Sequence, residues 1–506
     1  LHPHNWLLES FETPQASPSE QILMSNVRCT EWDSDITKCL AEMSEDIENS
    51  CQHDNVVGIR CYDTSWAGIR IAVSADRSVM KFAVVEKAGL LDPHTNEHKP
   101  AVQLDFSHHV LSNIRVSDNT DDGLGIIYSD LFFPDAVNTI EKSEFSRNLG
   151  NGVLLRQLGI TMKDCLVEHN RGAGILHDPA IRRSHQREMT GWITVGKKDK
   201  IEYLPAQWKD LWLDENEFKY IITTTDTGID ETFQIIAKDH SMVIAMQLLN
   251  PLHNESTEEV IIYDRHDIHP ATPIGPELDV WSLKRDQVTF PTVSSSYGIT
   301  LWFRSGAKPR GNGILLVRAI RAPENRYSRS RVLEGPLPRL QIQDSKIRYN
   351  GRGIGAIHYN RYENEEGDLY LRKANESIEV LRCELSFNEG EAIHVYTPHR
   401  EIYSSNISEI TFMINSSMIY ENSRVIVQYS KDLRSSNNLY HWVLRDNIIE
   451  RNKEGGFQVS LPYVWQYNEN HTHSIHFENI TFRGNENFET LVSGHFSKVT
   501  VVLSSF

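Results

Sequence analysis

Eight asparagines in this chain are each preceded by apolar residues at the same two distances, and that recurrence restricts the fold more than any other feature. The anchors are Asn119, Asn148, Asn170, Asn350, Asn388, Asn422, Asn452 and Asn485. Eight residues before them stand Leu111, Ile140, Met162, Ile342, Val380, Ile414, Leu444 and Phe477; three before stand Val116, Phe145, Val167, Ile347, Leu385, Ile419, Ile449 and Phe482. All sixteen are apolar in a chain that is 39% hydrophobic. The frame is clearest from Ile160 to Ile175 and returns at Ile378 with Val380, Cys383, Leu385, Asn388, Gly390, Ala392 and Ile393.

Successive anchors are mostly 22 to 38 residues apart, an irregular spacing that suits a solenoid with loops of varying length. Apolar residues two apart, followed by a short Asn/Gly turn, indicate short strands with one inward face. Asn tolerates the left-handed backbone region and has an amide to bond the neighbouring coil. Gly follows where φ is positive or a Cβ has no room. One coil cannot bury its own apolar face, but a stack can. The expected fold is all-β, a right-handed parallel β-helix. An ordinary β-sandwich with Asn-Gly turns would not need the same inward offsets in every strand pair.

The frame vanishes between about Pro179 and Leu340, too long a gap for a loop in a compact domain. Within it Tyr220–Thr225, Phe233–Ala237, Met242–Leu248, Val260–Tyr263 and Gly298–Phe303 read as strands separated by Asp, Gly and Pro. The runs Val243–Met246, Glu259–Asp264, Phe290-Pro291 and Tyr297–Ser305 resemble a CUB domain, a small β-sandwich. There is no cysteine between Cys165 and Cys383, so the disulfides usual in that family are absent. Gly306 stands where the calcium-binding members carry Asp, which removes a carboxylate from a hard-cation site, and no metal is expected.

Residues 1–62 are organised by four of the six cysteines: Cys29, Cys39, Cys51 and Cys61. No Cys-x-x-Cys pair is present, which argues against structural zinc. Four cysteines allow three connectivities. The run from Asn26 to Cys61 resembles the C-terminal half of a scavenger-receptor cysteine-rich domain. That resemblance implies a local Cys29–Cys39 disulfide. The family partners of Cys51 and Cys61 lie nearer the domain's start, in sequence this chain lacks; they either bond each other or have lost their partners by truncation. Sequons at Asn254, Asn375, Asn406, Asn415, Asn470 and Asn479 agree with an extracellular, glycosylated chain.

The expected order is therefore a partial scavenger-receptor domain (1–62), β-helix (63–179), CUB-like insert (180–335) and β-helix (336–506). That order resembles the large ectodomains of a family of insect single-pass membrane proteins at cell–cell junctions. The resemblance implies a role in assembling septate and tricellular junctions of epithelia, with no catalysis. It also implies partners among junction or cell-surface proteins, with homophilic and heterophilic contact both open. Leu1-His2-Pro3-His4 is no signal peptide, and the missing Met and the end at Phe506 suggest a piece of something longer, with the anchor outside it. No run approaches the ~18 apolar residues of a membrane span. The balance of 51 basic to 69 acidic residues, net −18, disfavours nucleic acid.

Two other functions compete, a β-helix enzyme acting on polysaccharides and a scavenger-type receptor for polyanions; the net charge opposes the second. For the first, Asn119-Thr120-Asp121-Asp122-Gly123 superficially resembles the Asn-Thr-Asp-Gly of polygalacturonases. Such inverting hydrolases need an acid and a base ~6.5–9.5 Å apart, and they add a Gly-His-Gly and a basic clamp that this chain lacks. The coil turn already accounts for Asn119 and Gly123. The 22 histidines are scattered; His108-His109 and His471/His473, the latter read as a loop, come nearest to ligand spacing and read as surface residues. Cys165 and Cys383 share an offset with Ser143, Ser345, Ser417, Ile114 and Ile480, so they read as buried, inert thiols. With the insert looped out, Cys165, Ser345 and Cys383 form one column, and two coils separate the thiols by roughly 9–10 Å. A disulfide needs Cα atoms within about 7 Å. No catalytic, cofactor or metal residue is assigned.

Overall fold

In a computed structural model the chain divides into two compact units, Leu1–Ser65 and Trp66–Phe506. The described residues are 24–28, 40–43, 66–71, 77–89, 98–105, 108–127, 139–156, 159–178, 200–215, 217–250, 252, 256–267, 280–283, 292–311, 313–321, 339–357, 376–396, 408–429, 438–461, 473–494, 496–502 and 504–505. In the first unit Met24–Arg28 pairs antiparallel with Leu40–Met43. Cys29, Cys39, Cys51 and Cys61, with the pairing implied for them, lie outside the described residues.

The second unit is a parallel β-helix of three sheets, of ten, nine and ten strands. Each coil gives one strand to each sheet, as Ile160–Lys163, Leu166–Glu168 and Ala173–His177 do. The frame sets which side chains point inward. All sixteen apolar positions are at most 3% exposed, and they belong to one continuous core. In the later coils that core widens to take aromatics: Phe412 stacks on Trp442 at 4.2 Å, and Trp442 meets Phe457 edge-on at 5.5 Å.

The anchors form a buried ladder of amides. In each step one asparagine's Nδ2 donates to the Oδ1 of the next, and from Asn148 onward its backbone N–H does so too: Asn148 to Asn170 at 2.9 and 3.1 Å, Asn388 to Asn422 at 2.8 and 3.1 Å. Spare Nδ2 hydrogens reach backbone carbonyls, as from Asn170 to Phe145 O at 3.0 Å. A side-chain amide therefore pairs backbone groups that water cannot reach. The positive φ, however, does not fall on the asparagines. It falls on the residue just before each of the first seven, such as Arg147 (52°), His169 (57°) and Tyr349 (54°), on Gly484 (63°) before Asn485, and on a second set six residues before, such as Lys142 (48°) and Asp344 (50°). The glycines after the anchors answer to crowding instead. A Cβ on Gly353 would lie 2.3 Å from Ala392 O. One coil precedes the eight: Met80, Val85 and Ala88 fill its frame, and Ala88 N–H donates to Asn119 Oδ1 at 2.9 Å.

The stack continues directly across the gap. Ile160–Lys163 pairs with Arg339–Gln343, Leu166–Glu168 with Lys346–Arg348, and Asn170 Nδ2 donates to Asn350 Oδ1 at 2.9 Å across 180 residues. Between them, strands from Ile201 to Arg321 build two five-stranded sheets that share a core of Ile221, Phe233, Ile244, Val260, Leu301 and Val317 among others. The five strands expected there are present, with five more. The longest addition, Ile314–Arg321, is central to its sheet. At Gly306 a Cβ would lie 2.9 Å from Thr257 Cβ, so close packing of the two turns also requires the glycine.

Candidate functional site

The Asn119–Gly123 stretch was the one place where sequence hinted at catalysis. Asn119 is buried in the ladder, donating to Asn148 Oδ1 at 2.8 Å. Asp122 is 8% exposed, and its Oδ1 accepts from Asn151 N–H at 2.6 Å and Asn151 Nδ2 at 2.8 Å. Burial, and then the charge of Asp121, push the Asp122 carboxyl up to about 7; the bonds from Asn151 oppose the shift. A carboxyl near neutrality is what a general acid needs. Here, however, its hydrogen bonds tie the turn of one coil to the next.

The other candidates resolve into the stack as well. His473 is not on a loop: it opens the strand His473–Glu478, is fully buried, and accepts the Tyr440 N–H on Nδ1 at 3.0 Å. Its alternating neighbours Ser474 and His476 gave no sign of that, because a polar residue was occupying an inward place. Cys165 and Cys383 are free thiols, each 3% exposed. Burial raises both to about 11. Cys165 N–H donates to Ser345 Oγ at 3.0 Å and Cys383 N–H to Ser417 Oγ at 3.1 Å, so Ser345 stands between the thiols in one column. Among the described residues, no group of three or more His, Cys, Asp or Glu could hold a metal ion.

Of the sequons, Asn479 is exposed, its Nδ2 donating to Asp446 Oδ1 at 2.7 Å. Asn415 ends a strand and is half-buried, and Ser417 of its sequon is 1% exposed. Asn254, Asn375, Asn406 and Asn470 lie outside the described residues, as do most of the loops after Tyr359 and Tyr429.

With the interior filled, what the solenoid presents to solvent includes the outer face of the second sheet and the turns beside it. The left-handed residues place their side chains there in two columns, coil above coil. In the column just before the anchors, Arg147 makes a bidentate pair with Asp118 at 2.8 Å. His169, Tyr349 and Phe387 then stack at 4.8 and 4.9 Å, and Arg451 binds Glu421 at 2.9 Å. In the other column Arg382 grips Asp344 at 2.6 Å. Exposed ion pairs of this kind are screened by water and add little to stability. The columns thus mix ion pairs with stacked rings. Tyr349, Phe387, Met418 and Ile448 are 38–45% exposed among these charges, the mixed surface that protein interfaces use. Neither column is announced by a residue type in the sequence. Their signal was present at one and six residues before each anchor, but it is a position, not a residue type.

The family model described as right handed beta helix region matches residues 94–179, giving the solenoid its hand. Protein bark beetle of Drosophila melanogaster is 44% identical over 514 aligned residues, which cover 100% of this chain and 16% of that protein. The chain thus spans a small part of the relative's length. No solved structure matches.

Proposed function

We propose that this chain, homologous along its whole length to a stretch of protein bark beetle, is a non-enzymatic adhesion and scaffold region of a junction protein. In this reading it lies on the extracellular side of the plasma membrane and supports assembly of septate and tricellular junctions in epithelia. The anchor and further modules lie elsewhere in the protein. Sequence identity of 44% over the entire chain carries the reading. The form of the molecule supports it: a solenoid sealed inside by apolar side chains and amides offers long, regular outer faces, on which recognition can be spread over many coils. Its partners are other junction or cell-surface proteins. The sequons carry glycans, Cys29 pairs with Cys39, and the inserted sandwich is CUB-like.

The test is a chimera in which this chain replaces the matching stretch of the fly protein in an epithelium lacking it. Delivery to the cell vertices with a restored barrier is the expected result. A chimera that reaches the surface but neither concentrates at vertices nor restores the barrier overturns the proposal. The purified chain should also leave acidic polysaccharides intact; depolymerisation that Asp122→Asn abolishes would make it an enzyme.

A further inference from the structure

The last strand of the first sheet, Phe496–Val502, pairs in parallel with His473–Glu478 on one side and is the sheet's edge on the other. The register sets Val499 opposite Ile475 and Val501 opposite Phe477, two interior side chains that are 1% and 2% exposed. Val499 and Val501 continue that inward column, yet they are 50% and 49% exposed. The third sheet ends the same way at Thr490–Gly494, where Val492 packs on the core only partly buried.

The turn chemistry repeats too. Ile480 N–H donates to Ser504 Oγ at 3.2 Å, as Cys165 N–H does to Ser345 and Cys383 N–H to Ser417. Val501 and Ser504 therefore stand where the frame sets the residues eight and five before an anchor, and by sequence count Phe506 is the residue three before it, an offset that is apolar at all eight anchors. At the end of the ladder, Asn485 Nδ2 donates to the Glu489 carboxylate, which fills the place of the next asparagine's Oδ1.

We infer that this end of the solenoid is a stacking surface for one more coil of the same frame, formed by polypeptide continuous with Phe506. It would bring apolar side chains onto Val499 and Val501, and an amide three residues past Phe506 would displace Glu489 from Asn485. The relative's much greater length leaves room for such a coil. A second copy fits poorly, because a twofold partner would meet the edge antiparallel and could not extend three parallel sheets together. The inference is independent of the junction reading, and its test reads exchange and stability, not adhesion.

Appending a second copy of residues 483–506 after Phe506 adds one coil in frame, since Phe482 and Phe506 hold the same place. Amide exchange across 496–502 should slow by at least about tenfold relative to the parent chain. Val499→Lys with Val501→Lys should move the parent's melting by no more than about 2 °C, yet remove the added protection. Equal exchange in both chains overturns the inference. So does a Lys pair that unfolds the parent as severely as the extended chain. A concentration-dependent dimer of the parent, abolished by the Lys pair, overturns it in favour of a second copy.

Discussion

Replacing Asn350 by Ala tests whether the amide ladder holds the coils together. Asn350 is fully buried; its Oδ1 accepts the Asn170 N–H at 3.1 Å and Nδ2 at 2.9 Å, while its own Nδ2 reaches Val167 O at 3.0 Å. Alanine removes that acceptor and those donors and admits no water in their place. A buried polar group left unpaired costs about 1–3 kcal/mol, and the Asn170 N–H and one of its Nδ2 hydrogens both lose their acceptor, so the loss should be about 2–5 kcal/mol. Asn485 supplies the control. It accepts the Asn452 N–H in the same geometry at 3.1 Å but is half-buried at the end of the ladder. Water can satisfy what Asn485→Ala exposes, and that variant should lose about 1 kcal/mol or less. Urea unfolding followed by intrinsic fluorescence, with exchange protection at Asn170 as a local probe, measures both. Equal losses in the two variants, or an Asn350→Ala midpoint indistinguishable from the parent, would refute the reasoning.

Three further outcomes follow from the geometry. Cys165 and Cys383 should resist alkylation in the native chain and react after unfolding without reductant, as mapped by peptide mass; a crosslinked Cys165–Cys383 peptide would contradict the column. Asp122 has a folded pKa raised from 3.8 to about 7. Its contribution is therefore complete below about pH 4 and is lost as pH rises through 7, so Asp122→Asn should gain on the parent between about pH 4 and 7, by at most about 4 kcal/mol, and hold that gain above. A pH-independent difference in unfolding free energy would count against that. The Arg147 guanidinium lowers the Asp118 carboxyl, so Asp118→Asn should cost under about 1 kcal/mol at pH 7 and nothing once the pH falls below the ordinary carboxylate range; a loss that persists in acid would assign it another role.

What the sequence determined is whatever repeats within one coil. Leu111 and Val116, or Phe477 and Phe482, show their inward direction because strand alternation and a short turn leave those places no other side to face. The asparagines were legible for the same reason, as were the two thiols between them. What only the tertiary structure decided lies between coils. Loops of unequal length hide which residue stands above which, so Asn170 meets Asn350 across 180 residues, and the same stacking puts Tyr349 over Phe387 and Arg382 over Asp344. The left-handed residue proved to precede the asparagine because the asparagine's amide is needed inside, and the bend must be made just before it. Ala88 could take an anchor's place because at the start of the ladder only its N–H is needed, and Asn119 accepts that bond. His473 and Asp122 are polar in sequence and buried in space; each is accommodated by one hydrogen-bonding group from a neighbouring coil, which no local pattern announces.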